Sequence, residues 1–205
     1  DPLMLVGFGL MEILSARGIS RPFDSRRDGF IIGEGSAMLV LSRERADATA
    51  AITGVGRSLD AHHLTAPDLE GDGAYRAMRA ALTEAGAQGL GYIQAHGTST
   101  ALNDPIEIMA IRRALGPAAQ HIPLASVKGA LGHWVAGAGA LGVLCGLEAV
   151  TRGVLLPPAG LEQPDSQCAM NHITQKAMHR DTHKALINAF AFGGANCSIV
   201  VERCP

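Results

Sequence analysis

LGYIQAHGTSTALNDPIEIMAIRRALGPAAQHIPLASVKGALGHWVAGAGALG, residues 90–142, decides the fold class. A short apolar run, Leu90–His96, ends in a turn. A helical pattern follows, with Asn103 or Asp104 as its cap and Pro105 in its first turn, running to about Leu115. A second apolar run, Ile122–Val127, precedes a helix expected from Ala136 to Val150. Strand, helix, strand, helix in that order predicts an α/β protein with helices layered on a sheet. The last of these helices has small residues on most of its sides, which predicts burial all round between two layers.

Outward from this stretch the pattern changes. Toward the C-terminus, short strands are expected near residues 170–174, 184–190 and 197–203. Toward the N-terminus, Ala74, Ala77, Met78, Ala81, Leu82 and Ala85 mark a helix capped by Asp72 and stopped by Gly86. Before it come a loop over 62–71, a strand over 50–61, a charged connector over 43–49, a strand over GEGSAMLVLS (33–42) and an apolar helix over 3–16. Two strands without a helix between them look like the end of a preceding unit. The chain starts at Asp1 rather than methionine, so the expectation is that it does not begin at its own start codon.

The composition, 47% hydrophobic and 18% charged, suits a well-buried globular chain and argues against disorder. A net charge of -2 gives no reason to expect nucleic acid or an anionic membrane surface as partner. The longest uncharged apolar run, Trp134–Leu147, is short for a membrane span and reads as a buried helix. Cys145, Cys168, Cys197 and Cys204 have no CxxC spacing, and reduced thiols in a cytoplasmic protein are the expectation. Cys168, His172, His179 and His183 have only a loose metal-like spacing, and no metal site is expected of them.

Three strand ends carry the residues with chemistry. His96 follows the first strand of the opening stretch, Lys128 and His133 follow the second, and Gly193-Gly194 follow the strand in NAFAFGG. Ligands of α/β proteins bind where strands end, and adjacent parallel strands would gather these groups at one edge. A lone histidine is usually structural, a lysine beside a glycine turn is usually a solvated charge, and a Gly-Gly is usually a turn. The conjunction of all three at one edge is what points to a site.

RPFDSRRDGFIIGEG (21–35), AHGTSTALNDPIE (95–107), SVKGALGHWVAGAGALG (126–142) and NAFAFGGAN (188–196) together resemble the signatures of the β-ketoacyl-acyl-carrier-protein synthases, in that family's order and at similar intervals. The resemblance runs over essentially the whole chain and covers about the second half of a ketosynthase. It implies the thiolase-like fold, two similar α/β halves in five layers, with residues 1–61 ending the first half and 62–205 forming the second. It implies a decarboxylative Claisen condensation. An acyl group sits on a cysteine of the other half, and malonyl on an acyl carrier protein loses carbon dioxide and attacks it.

By the same resemblance, neutral His96 and His133 donate hydrogen bonds to the malonyl thioester oxygen, and Lys128 is a positioning and electrostatic residue. Glu107 is either the carboxylate that pairs with that lysine or an exposed helix charge. Thr98 and Thr100 match the threonines that bind the pantetheine arm. Phe192 supplies a backbone N–H to the oxyanion hole and a ring that gates the acyl pocket. Phe8 lines that pocket or belongs to the core. Ala191 stands where glycine is usual and is expected to stiffen the turn. Trp134 stands where a smaller residue is common and is expected to narrow the acyl pocket, and Cys197 reads as a core thiol.

No cofactor is implied beyond the carrier's phosphopantetheine arm. The implied partners are the acyl carrier protein, the N-terminal ketosynthase half and a second ketosynthase-like subunit in a homodimer or heterodimer. No cysteine of the chain has the setting of an activated nucleophile, so the chain is expected to be incomplete alone. Two other functions share the fold: a non-catalytic chain-length factor and a decarboxylase-only ketosynthase. Retention of His96, Lys128 and His133 argues against the first.

Overall fold

The computed structural model describes residues 2–44, 47–86, 88–174 and 176–204. Its elements are α1 (Pro2–Leu10), β1 (Ala50–Leu59), α2 (Asp72–Ala85), β2 (Leu90–Gln94), α3 (Asn103–Leu115), β3 (Leu124–Ala125), α4 (Lys128–Leu131), α5 (Ala138–Arg152), β4 (Val154–Leu155), β5 (Met178–His179), β6 (Lys184–Ala191) and β7 (Ala195–Arg203). Five strands form one sheet in the order β1-β7-β6-β2-β3, and β4 pairs with β5 apart from it. β2 runs parallel to both β3 and β6, while β7 is antiparallel to β6 and to β1. The three strand ends singled out in the sequence are therefore neighbours at one edge.

The helices sit where their apolar faces require. α2 buries Ala74, Ala77, Met78, Ala81 and Leu82, and its alanines let β1 approach closely. A Cβ on Gly54 or Gly56 would lie 2.1 Å from the Ala81 carbonyl oxygen or 1.8 Å from that of Ala77. α3 packs beside α2 and buries Ile108 and Ile111. α5 packs on β6 and β7, with Gly142 and Gly146 seated on Ile187, where a Cβ would come within 2.9 and 2.7 Å of its side chain. One core of Met78, Ile93, Ile108, Leu124 and Leu186 and another of Tyr92, Val143, Ile187 and Val201 follow from this layering.

Several expected elements differ from those observed. GEGSAMLVLS forms no strand: Met38, Val40 and Leu41 are 91, 94 and 73% exposed. Their alternation is strand-like, but a strand needs a hydrogen-bonding neighbour, and the bridge of Ile32 to His133 lies before the stretch. The N-terminal helix stops at Leu10, with Glu12 in the left-handed region (φ 55), and none of its residues is buried. α5 is not buried all round, because only seven of its fifteen residues are buried and the outward ones are partly exposed. The stretch Val135–Arg152, with mean hydropathy 1.3, has the length and composition of a membrane-crossing helix, although the 134–147 run looked too short. Its glycine face on Ile187 makes it a layer of the sheet.

Helix capping also departs from expectation. Asp72 does not cap α2. It lies inside the helix, pairs with Arg76 at 2.8 Å, and its own N–H donates to Asp68 Oδ2. The strand expected at 170–174 is reduced to one bridge between His172 and Leu124.

Candidate active site

His96 lies two residues past the end of β2 and is almost wholly buried. Its backbone is held from both sides. Its N–H donates to Glu107 Oε1 (2.8 Å), and the next N–H, of Gly97, donates to Glu107 Oε2 (2.7 Å). Its carbonyl accepts from the Lys128 ammonium and from Ser126 Oγ. Gly97 has φ 40, and a Cβ there would lie 2.5 Å from Ser126 Cβ, so conformation and space both require glycine.

Glu107 departs from one of its two expectations and meets the other only at a distance: its charge favours the Lys128 ammonium without touching it. It is buried rather than exposed, and it forms no ion pair with Lys128 among the described residues. It holds the His96–Gly97 backbone and also accepts from Asn188 Nδ2 (3.0 Å), whose Oδ1 accepts in turn from Ser198 Oγ (2.9 Å). Burial pushes the carboxyl up, and these donors pull it back. Three donors thus converge on its two oxygens. Asp104 is not a cap either: it is buried, and its carboxylate accepts from the N–H groups of Phe23 (2.8 Å) and Ser99 (3.1 Å), tying the 21–30 segment to the loop after His96.

Lys128 opens α4 directly after β3 and is 5% exposed. Its ammonium lies 3.4 Å from His96 Nδ1. Burial lowers it to about 8, against the opposing pull of Glu107 and Asp104, so it remains a cation at neutral pH.

His133 sits in the turn after α4. Its N–H donates to the Ile31 carbonyl (2.8 Å) and its carbonyl accepts from Gly33 N–H (3.0 Å). Its ring stands 5.7 Å from that of His96 at 83° and packs on Phe30. His133 Nδ1 accepts from the Val135 N–H (2.9 Å), so the neutral ring carries its hydrogen on Nε2. Burial first, then the charge of Lys128, lowers His133 to about 3; the same two causes in the same order, with a smaller part from His133, hold His96 well below the usual histidine range. With the ammonium beside its Nδ1, His96 too presents Nε2–H as its donor. Two neutral donors thus border one space.

That space is a cavity of about 610 Å³ lined by both histidines, Thr98, Thr100, Phe8, Phe30, Phe190 and Phe192, among others. The Thr98 and Thr100 hydroxyls are 2.9 Å apart on a loop where Ser99 has φ 69. Arg27 pins that loop by donating to the Thr100 carbonyl (3.0 Å) while paired with Asp165 at 2.5 Å. Phe8 lines the cavity, edge-on to Phe30 at 5.8 Å. Phe192, 47% exposed, stands on the three-residue turn between β6 and β7, 6.1 Å from Phe8. Ala191 has φ -139 and ψ 159, an extended conformation open to any residue, so its methyl does not strain the turn.

Trp134 does not line the cavity and so does not narrow it. Its ring packs instead on the backbone of Gly33 and Gly35 and beside Val127, Leu141, Cys145 and Leu156. Burial pushes the Cys145 and Cys168 thiols up to about 11 and about 12, and raises Cys197, so none of the three is set up as a thiolate. His172 stacks on Phe23 and its Nε2 meets the Cys168 carbonyl at 2.6 Å. Ser126, Asn188 and Ser198 escaped the sequence reading; a polar residue on an otherwise apolar strand, as in NAFAF, was the one available sign.

Known proteins share sequence and fold with the chain. The profile of the β-ketoacyl synthase C-terminal domain matches residues 49–162, and that of the N-terminal domain matches residues 1–47. The 3-oxoacyl-[acyl-carrier-protein] synthase 2 of Rhizobium meliloti is 38% identical over 215 residues, covering 98% of this chain and 51% of the relative. A β-ketoacyl synthase from Burkholderia phymatum superposes with a TM-score of 0.92 at 33% identity, over 100% of this chain and 52% of that one. A ketosynthase from Xenorhabdus doucetiae, solved in complex with its chain length factor, gives 0.83 at 35% identity, over 97% and 49%. The chain spans about half the length of the relatives it matches.

Proposed function

Because the chain belongs to the β-ketoacyl synthase family, we propose that it forms the decarboxylating half of a 3-oxoacyl-carrier-protein synthase. One observation carries this most directly: two neutral imidazoles, 5.7 Å apart, present Nε2–H groups to one largely apolar cavity. When the malonyl C–C bond breaks, carbon dioxide leaves and the electron pair moves into the thioester, charging its oxygen. Donors fixed at that oxygen favour the transition state over the ground state. The enolate carbon then attacks an acyl thioester, forms the new C–C bond and releases the thiolate that held the acyl group.

Lys128 stays beside the histidines rather than on the substrate. Its charge opposes protonation of either ring and favours the enolate. The exclusion of water by the phenylalanines protects the carbanion from protonation. Thr98 and Thr100 receive the pantetheine arm, the Phe192 N–H completes an oxyanion hole for the acyl thioester, and Phe8 borders the acyl pocket.

The acyl-bearing cysteine belongs to a ketosynthase N-terminal half. The remaining partners are an acyl carrier protein and a second ketosynthase-like subunit, as in the Xenorhabdus complex of ketosynthase and chain length factor. The setting is the cytoplasm, and no cofactor is needed beyond the carrier's arm.

The test uses the assembly that contains the chain. His96→Ala and His133→Ala are each expected to cut carbon dioxide release from the malonyl carrier thioester by ~100- to 1,000-fold while acylation of the cysteine persists. Release within about tenfold of wild type in both variants removes the proposal.

A further inference from the structure

We propose that Trp134 is a positioning residue for His133: its indole, seated on the glycine backbone of residues 33–35, holds the His133–Val135 turn in the strained form that fixes which ring nitrogen carries the hydrogen. The proposal rests on His133 acting as a donor, as argued above.

The seat is made by two glycines. A Cβ on Gly35 would lie 2.4 Å from Trp134 Cη2 and Cζ2, and one on Gly33 would lie 2.1 Å from the Leu131 carbonyl oxygen and 2.9 Å from Trp134 Cδ1. Neither glycine has a positive φ, so both are there for space rather than for conformation. The indole Nε1 donates to the Leu131 carbonyl (3.1 Å) at the end of α4, and the ring also packs among Val127, Leu141 and Cys145. One side chain thereby binds together α4, the extended 31–35 stretch and the start of α5.

The residue that follows is Val135, at φ 50. A β-branched residue is a rare occupant of that region and stays there only when its surroundings over-determine it. The strained turn aims the Val135 N–H at His133 Nδ1, and this bond places the ring hydrogen on Nε2. With the indole removed, Val135 relaxes toward negative φ, its N–H leaves Nδ1, and the ring takes either tautomer. The fold of the turn survives, because the His133 backbone stays bonded to Ile31 and Gly33.

The experiment compares Trp134→Leu, Trp134→Phe, Gly35→Ala and the Gly35→Ala/Trp134→Leu double variant in the native assembly. Carbon dioxide release is followed alongside the ¹⁵N spectrum of His133. Trp134→Leu is expected to lower kcat about 10- to 100-fold with little change in KM, and to shift the His133 nitrogens from a pure Nε2–H pattern to a tautomer mixture. Trp134→Phe keeps a ring on the seat and retains most of the rate. Gly35→Ala lowers the rate when Trp134 is present and adds nothing in the Leu background, where its methyl has room.

A normal rate and an unchanged His133 spectrum in Trp134→Leu overturn the proposal. So does a loss of kcat with the Nε2–H pattern intact, which marks a structural role only. If Trp134→Leu does not fold, Gly35→Ala decides alone, since a wild-type spectrum there also overturns it. Normal carbon dioxide release by both His96→Ala and His133→Ala overturns the function proposed above and leaves the tautomer result standing.

Discussion

The edge formed by the ends of β2, β3 and β6 and the stretch over residues 33–42 both come from strand-patterned, glycine-punctuated sequence, and they end in opposite states. At the edge, every polar group of the His96 backbone meets a partner from the same chain: Glu107 from α3, Ser126 and Lys128 from β3 and its successor, with Asn188 on β6 behind them. In the 33–42 stretch, the apolar side chains of Met38, Val40 and Leu41 face outward. A strand or a site is a property of at least two segments. The first region carries the partners of the His96 backbone, while in the second three of the four side chains of residues 38–41 stay exposed and only Leu39 packs on the core.

The largest effect that would sharpen the contrast comes from Glu107→Gln. The amide would turn a donor toward N–H groups or toward Asn188, in a place where all the neighbours are donors. A loss of about 2–6 kcal/mol in unfolding free energy is expected, because two buried donors, the new amide and the N–H it faces, are left without acceptors at about 1–3 kcal/mol each. Chemical denaturation checks this, and a loss below about 1 kcal/mol, the range of an exposed helix charge, would break the claim that the site edge is self-contained.

Lys128→Met is expected to act in the opposite direction on stability. The folded pKa of Lys128 is lowered to about 8 from 10.5. Below about 8 both states hold the proton and the burial penalty is present in full. Between about 8 and 10.5 only the unfolded state keeps it, so the wild-type chain gains stability as pH rises. Methionine removes that penalty. The variant should be more stable by about 3 kcal/mol at pH 7, with the advantage fading toward pH 10.5, and its condensation should fail. Parallel denaturation series at pH 7 and pH 10 test the sign.

The smallest effect belongs to the second region. The pair Met38→Ser and Val40→Ser should change the stability of the chain itself by less than about 0.5 kcal/mol, because neither side chain packs on it. A loss above about 2 kcal/mol would mean that the stretch is already held by its own chain, and the comparison would fail.

Much of the edge was legible in the sequence because its signals are local. A strand ends, a turn begins, and the residue at the turn is histidine or lysine. The parallel pairing of β2 with β3 and β6 then brings His96, Lys128 and His133 together without further information. What was not legible depends on which segment lies across the way. Glu107 spends its charge on two backbone N–H groups, which no side-chain pattern announces. Trp134 turns from the cavity onto two glycines almost a hundred residues earlier in the chain. The strand expected over 33–42 failed for the same reason, since alternation describes a face and not the neighbour that would pair with it.

The central claim is that the chain's own residues hold two histidines neutral, each with its hydrogen on Nε2. It is tested most directly by a ¹⁵N-histidine pH titration of the native assembly, with His96→Gln and His133→Gln spectra to assign the rings. The prediction is that neither ring gains a proton between pH 8 and pH 5, and that both show an Nε2–H donor and an acceptor Nδ1 throughout. Titration of either ring near the ordinary histidine value of 6.5, or a hydrogen resident on Nδ1, would contradict it.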